Sequence, residues 1–114
     1  MEPVPRLKAG LWVDAQVRLC NRLAVPLYVV RRGDADAGMV LIKLNRGAGG
    51  IVVLTPIRRP QDDSLAWLRA TGPEPVDEAR AEAYLARQTQ IDPDLWIVEI
   101  EDPGGRWDPD SPVL

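Results

Sequence analysis

The 114-residue chain has no histidine, no phenylalanine and a single cysteine, Cys20. The lack of histidine excludes Cys/His zinc sites and Cys-His or Ser-His nucleophilic dyads, and one cysteine excludes a disulfide within the chain. Cys20 falls on the apolar face of an expected helix, where it reads as a small buried hydrophobe. No apolar run approaches the roughly 20 residues of a membrane span. The start, MEPVPRLKAG, carries two prolines and no apolar segment suited to a signal peptide. The last residues, SPVL, offer no prenylation cysteine. These absences point to a cytoplasmic, reducing setting without a membrane partner.

What is present fits one domain with its own core, since 46% of residues are hydrophobic in a chain too short for two cores. Charge is unevenly laid out. Residues 1–60 hold ten basic against four acidic side chains, a net of +6, and residues 61–114 hold four against thirteen, a net of −9. Such a dipolar layout implies either neutralisation on folding or two faces with different partners.

The centre of the chain is residues 27–57, which reads as three strands joined by two Gly-containing turns. Before it, Gly10 precedes a helix expected over Trp12 to Leu23, with Trp12, Ala15, Leu19 and Leu23 on its apolar face and Pro26 as its stop. Strand one spans Leu27 to Arg32. In the turn Gly33-Asp34-Ala35-Asp36-Ala37-Gly38 the end glycines suit backbone with positive φ, and the aspartates suit bonding to it. Strands two (Met39 to Asn45) and three (Ile51 to Ile57) flank the hairpin signal Gly47-Ala48-Gly49-Gly50. That glycine run leads into a strand and not a helix, so it is a turn and not a phosphate loop.

Residues 64–71 alternate and are read as a strand, with a short helical turn as the other option. A helix follows from Val76 to Gln90, with Val76, Ala79, Ala83 and Ala86 on one face. Leu95 to Asp102 is a strictly alternating strand. Residues 103–114 form a Pro- and Asp-rich tail that either docks by Trp107 or stays mobile. The expected fold is a single α+β domain over residues 1–102, with a mostly antiparallel sheet of three to five strands. Both helices are expected on one sheet face.

In a meander, the ends of strands one and three meet, which would gather Arg31, Arg32, Arg58 and Arg59 beside Asp34. Four guanidinium groups can hold phosphate, a nucleic-acid backbone or an acidic protein surface through paired, charge-assisted hydrogen bonds. The alternative is that Asp34, Asp36 and the acidic second half of the chain, including Glu99 and Glu101, neutralise them. Trp107 in its polar tail suits an exposed interface anchor, whereas Trp12, Trp67 and Trp96 suit the core. The carboxylates Asp92, Asp94, Glu99, Glu101 and Asp102 match no Ca²⁺ loop, so no metal is expected. No catalytic residue set and no cofactor motif is found, and Arg32-Gly33-Asp34 is read as a chance match to an adhesion tripeptide.

Several stretches resemble a small bacterial family known only as a domain of unknown function, DUF1491. They are Trp12-Val13 with Ala15 and Arg18, then Arg31-Arg32-Gly33-Asp34 with Ala37-Gly38, Leu41, Lys43 and Asn45. Arg87-Gln88 and the run from Asp92 to Asp102 extend the resemblance over residues 7–102. It implies a compact stand-alone cytoplasmic protein and supplies no activity and no site residues. The resulting expectation is a non-enzymatic protein-interaction module with a protein partner or a second copy. Nucleic-acid or nucleotide-phosphate binding through the arginines is the second reading, and a carboxylate or Mg²⁺-dependent enzyme the third.

Overall fold

The computed structural model describes residues 8–114. Helix α1 (Ala9–Leu23) begins earlier than expected, because Ala9, Val13, Gln16 and Cys20 form the buried stripe, one position round from the face read in the sequence. It ends at Ala24, whose left-handed backbone (φ 56°) lets the Val25 amide donate to the Cys20 carbonyl at 2.9 Å. The stop therefore comes two residues before Pro26.

Strands β1 (Leu27–Arg31), β2 (Val40–Asn45), β3 (Ile51–Arg58) and β4 (Leu65–Arg69) precede helix α2 (Glu78–Ile91) and strand β5 (Trp96–Glu101). They form one five-stranded sheet in the order β1-β5-β2-β3-β4. The β2–β3 hairpin and the β4 strand are as expected, and residues 47–49 make one 3-10 turn between β2 and β3. The meander is not: β5 inserts between β1 and β2, antiparallel to the first and parallel to the second. The reason is burial. β2 and most of β5 are buried on both faces and belong in the centre, whereas Tyr28, Val29 and Val30 of β1 are exposed, as an edge strand allows.

The class is α+β with a mostly antiparallel sheet, but the two helices do not share a face. Cys20 of α1 packs with Ile42, Leu44, Leu54 and Ile100, while Ala81 and Leu85 of α2 pack with Leu41, Val53 and Ile97. Neighbouring strand residues point to opposite faces, so each helix covers its own side. The apolar run of β2 demanded this, because one open face would leave half of it in water. On α2 the residues that anchor are Ala81 and Leu85, with Tyr84 beside them, and Ala79, Ala83 and Ala86 are exposed. Val76 lies ahead of the helix, bridged to Ile51, and Asp77 caps it by accepting the Arg80 amide at 2.9 Å.

The tail docks. Trp107 is fully buried, and Val113 forms a bridge with Trp67 on the outer edge of β4. Among the described residues, no helix is long and apolar enough to cross a membrane.

Candidate functional site

β1 and β3 point the same way, so Arg31 and Arg58 do end at the same end of the sheet. Two strands now separate them, roughly 14 Å at ordinary strand spacing. Each arginine is held by its own neighbours. The Arg31 Nη2 donates to the Pro93 carbonyl at 3.0 Å, and Arg32 lies 5.1 Å from the centroid of the Trp96 ring as a cation–π pair. Arg58 pairs with Asp63 at 3.3 Å, and the Arg59 backbone closes the same turn by donating to Ser64 at 2.8 Å. The Nε atoms of Arg31 and Arg59 are buried without a partner. The four do not converge; Arg58 is paired from the acidic second half of the chain by Asp63, and among the described residues none of the four pairs with Asp34, Asp36, Glu99 or Glu101.

Asp34 organises its own turn. Its Oδ1 accepts the amides of Ala37 and Asp36 at 2.8 and 2.9 Å, which holds this exposed carboxyl below its usual range. Its carbonyl accepts the Trp96 indole at 2.7 Å. A Cβ on Gly33 or Gly38 would lie 2.0 or 2.5 Å from the Asp94 carbonyl oxygen. Those glycines are required for close approach, not for positive φ, because this loop crosses directly over the start of β5.

Trp107 is no exposed anchor. Its indole donates to Gln16 Oε1 at 2.9 Å and its amide to Asp102 Oδ2 at 2.8 Å. Burial alone would raise the Asp102 carboxyl, but the Arg106 and Trp107 amides and the charges of Arg46 and Arg106 outweigh it and hold it below its usual range. Arg46 sits 3.1 Å from the same carboxylate. A cleft of about 250 Å³ nearby is bordered by Ala24, Pro26, Glu101 and Arg106, whose Nη1 is already committed to the Leu23 carbonyl.

Two polar clusters were not anticipated from the sequence. Lys43, in the middle of the apolar VLIKLN strand, is 3% exposed and meets Glu78 and Glu82 of α2 at 2.5 Å and Glu99 of β5 at 3.5 Å. Burial works to lower its pKa, but those carboxylates prevail and hold the ammonium above the ordinary lysine value. The signal was available: a lone lysine in a buried strand needs counter-charges, and Glu78 and Glu82 are four apart on one helix face. The other cluster is Asp110, whose two oxygens accept the indoles of Trp12 and Trp67 at 2.9 and 3.2 Å and strap the tail down.

Two potential nucleophiles are thus disarmed. Lys43 is kept protonated, and burial, then the nearby Asp102 charge, push the Cys20 thiol up. No group of three or more metal-ligating side chains is assembled among the described residues.

The sheet edges differ. β4 is shielded where the tail bridges Trp67, which donates to the Pro112 carbonyl at 2.7 Å and accepts from Leu114 at 2.8 Å. The outer edge of β1 pairs with nothing among the described residues, and it exposes Tyr28 (51%) and Val30 (57%) side by side with Val29. The ladder with β5 is interrupted by a bulge between Val29 and Arg31.

A family model described as a protein of unknown function, DUF1491, matches residues 7–107. The crystal structure of a DUF1491 family protein from Caulobacter crescentus CB15 is 34% identical with a TM-score of 0.84, covering 96% of this chain and 100% of that one. An NMR structure of a DUF1491 family protein from the same organism is 33% identical, TM-score 0.81, over 97% and 99%. A solution structure of a protein from A. tumefaciens shares the fold at 23% identity, TM-score 0.68, over 85% and 86%. No curated protein matches the chain.

Proposed function

We propose that this chain, which belongs to the DUF1491 family of proteins of unknown function, is a protein-interaction module that binds through the outer edge of β1. The observation that carries this reading is the edge itself, which pairs with nothing among the described residues and exposes Tyr28, Val29 and Val30 in succession while the opposite edge is strapped by the tail. An edge strand offers backbone amides and carbonyls to an added strand, and alternate side chains supply selectivity. Arg31 and Arg32 flank the end of the edge and can orient acidic groups of the partner.

Non-enzymatic action is supported by the residue chemistry. The chain has no histidine, and Lys43 and Cys20 are held in their protonated forms inside the core. Nucleic-acid binding through Arg31, Arg32, Arg58 and Arg59 has less support, because these residues are spread along the sheet end and the side chains of Arg31, Arg32 and Arg58 each have a local contact.

The test is a photo-crosslinking amino acid in place of Tyr28, introduced in the native host, with the same group at exposed Arg87 on α2 as control. A discrete protein adduct from position 28 and none from position 87 is the expected result. Equal labelling from the two positions, or none from either, refutes the reading.

A further inference from the structure

We infer that the occupant of the β1 edge is a second copy of this chain, paired antiparallel about a two-fold axis perpendicular to the sheet. The inference rests on the edge-binding reading above and names its partner. It follows from the order of charges along one face of the edge.

Residues paired across a ladder share a face. Tyr28 lies opposite Glu99, and Arg31 opposite Ile97, so Tyr28, Arg31, Glu99 and Glu101 all belong to the face that carries α2. α2 packs over β2, β3 and β5, through Leu41, Val53 and Ile97, and leaves Tyr28 uncovered. Along this strip the base, Arg31, stands at the end of β1. The acid, Glu101, stands at its beginning, where its amide donates to the Pro26 carbonyl at 3.0 Å. Glu99 is already committed to Lys43 and Asn45, whereas Glu101 has no ion-pair partner among the described residues.

A strip that is basic at one end and acidic at the other complements itself only when reversed. With Val29 facing Val29 across the axis, Tyr28 lies against Val30 of the second copy, and the bulge between Val29 and Arg31 ends the ladder there. Arg31 then stands two strand spacings, about 10 Å between backbones, from Glu101 of the second copy, within the summed reach of the two side chains. A parallel pairing would set like charges together. A uniformly acidic partner fits less well, since it would set like charge against Glu101 at the other end of the strip. The bulge after Val29 keeps the ladder short, so the charges decide the pairing.

The test is sedimentation equilibrium of the purified chain over a concentration series, with Arg31→Glu, Glu101→Arg and the double reversal, each confirmed as folded by circular dichroism. Wild type is expected to dimerise reversibly, each single variant to bind itself at least ~10-fold more weakly, and the double variant to recover. A wild type that stays monomeric into the millimolar range overturns the inference, and so do single variants that dimerise like wild type. A measurement that needs no charge variant uses the crosslinker at position 28. An adduct of two copies of this chain joined through residues 27–31 supports the dimer. An adduct with a different protein overturns the dimer but leaves the edge-binding reading standing, and no adduct overturns both.

Discussion

Removing the carboxylates around Lys43 should cost more than removing Lys43 itself. The lysine side chain is 3% exposed, so its ammonium has surrendered its water, while Glu78 and Glu82 remain 62% and 55% exposed and Glu99 18%. Loss of one helix carboxylate, as in Glu78→Gln, leaves two counter-charges and is heavily discounted by solvent, at about 0.5–1 kcal/mol. Loss of all three in Glu78→Gln/Glu82→Gln/Glu99→Gln strands a buried cation, and that costs about 3–5 kcal/mol. Lys43→Met fills the same slot with an apolar chain and lets Glu78 and Glu82 turn to water. Glu99 keeps the Asn45 amide at 3.2 Å, so the expected loss is about 1–2 kcal/mol.

The decisive comparison adds Lys43→Met to the triple variant. It removes the stranded charge and should restore stability by roughly 2 kcal/mol or more, a gain from a second lesion in the same core. Urea unfolding followed by tryptophan fluorescence measures all four proteins. If Lys43→Met further destabilises the triple variant, the ammonium is not what makes the carboxylates necessary, and the reasoning fails. There is also an alkaline signature. The folded pKa of Lys43 lies above its unfolded value of about 10.4, so its contribution is complete below that pH and is lost as pH rises through the folded value. Wild type should lose stability there more steeply than Lys43→Met.

Asp110→Ala deprives the Trp12 and Trp67 indoles of their acceptor and should cost about 1–3 kcal/mol, with faster limited proteolysis of residues 108–114 as the local readout. Cys20, fully buried with its thiol pushed up, should react with a thiol reagent only at the rate of unfolding, so fast labelling of the native protein would contradict its placement. Asp102 has a folded pKa below its unfolded value near 3.9, so its contribution is complete above that pH and is lost as pH falls through the folded value. Asp102→Asn should flatten acid unfolding in that range.

The elements were legible where the signal was local, and the errors came from what is non-local. The β2–β3 hairpin announced itself by two apolar runs around a glycine-rich turn, and β4 by alternation alone. Nothing in the periodicity of residues 96–101 says which strands they join, so the insertion of β5 beside β1 could not be read from spacing. That single misplacement carried into the site, because the arginine cluster existed only if β1 and β3 were near neighbours. The face of α2 was misread because alanines mark no direction, whereas Leu85 and Tyr84 have the bulk that does. Trp107 was misread because its neighbours are polar, and its two hydrogen bonds come from residues 16 and 102, far away in sequence.

The same insertion makes β1 suitable for binding. Had β1 paired with β2 as in a meander, a tight turn would join them and no loop would cross β5. Instead the connection from Arg32 to Met39 passes over the start of β5, pinned by the Gly33 and Gly38 contacts with Asp94, by the Asp34 amide donating to the Asp94 carbonyl at 3.0 Å, and by the Trp96 indole. Arg31 is tied to Pro93 within that assembly. At its other end β1 is fixed by the bond from Glu101 to Pro26, next to the left-handed stop of α1. An edge anchored at both ends and backed by a buried central strand loses little conformational freedom when a partner arrives. The cost of ordering therefore falls on the partner's segment. If the partner is a second copy, that segment is an equally rigid β1, and even a short ladder broken by a bulge can hold.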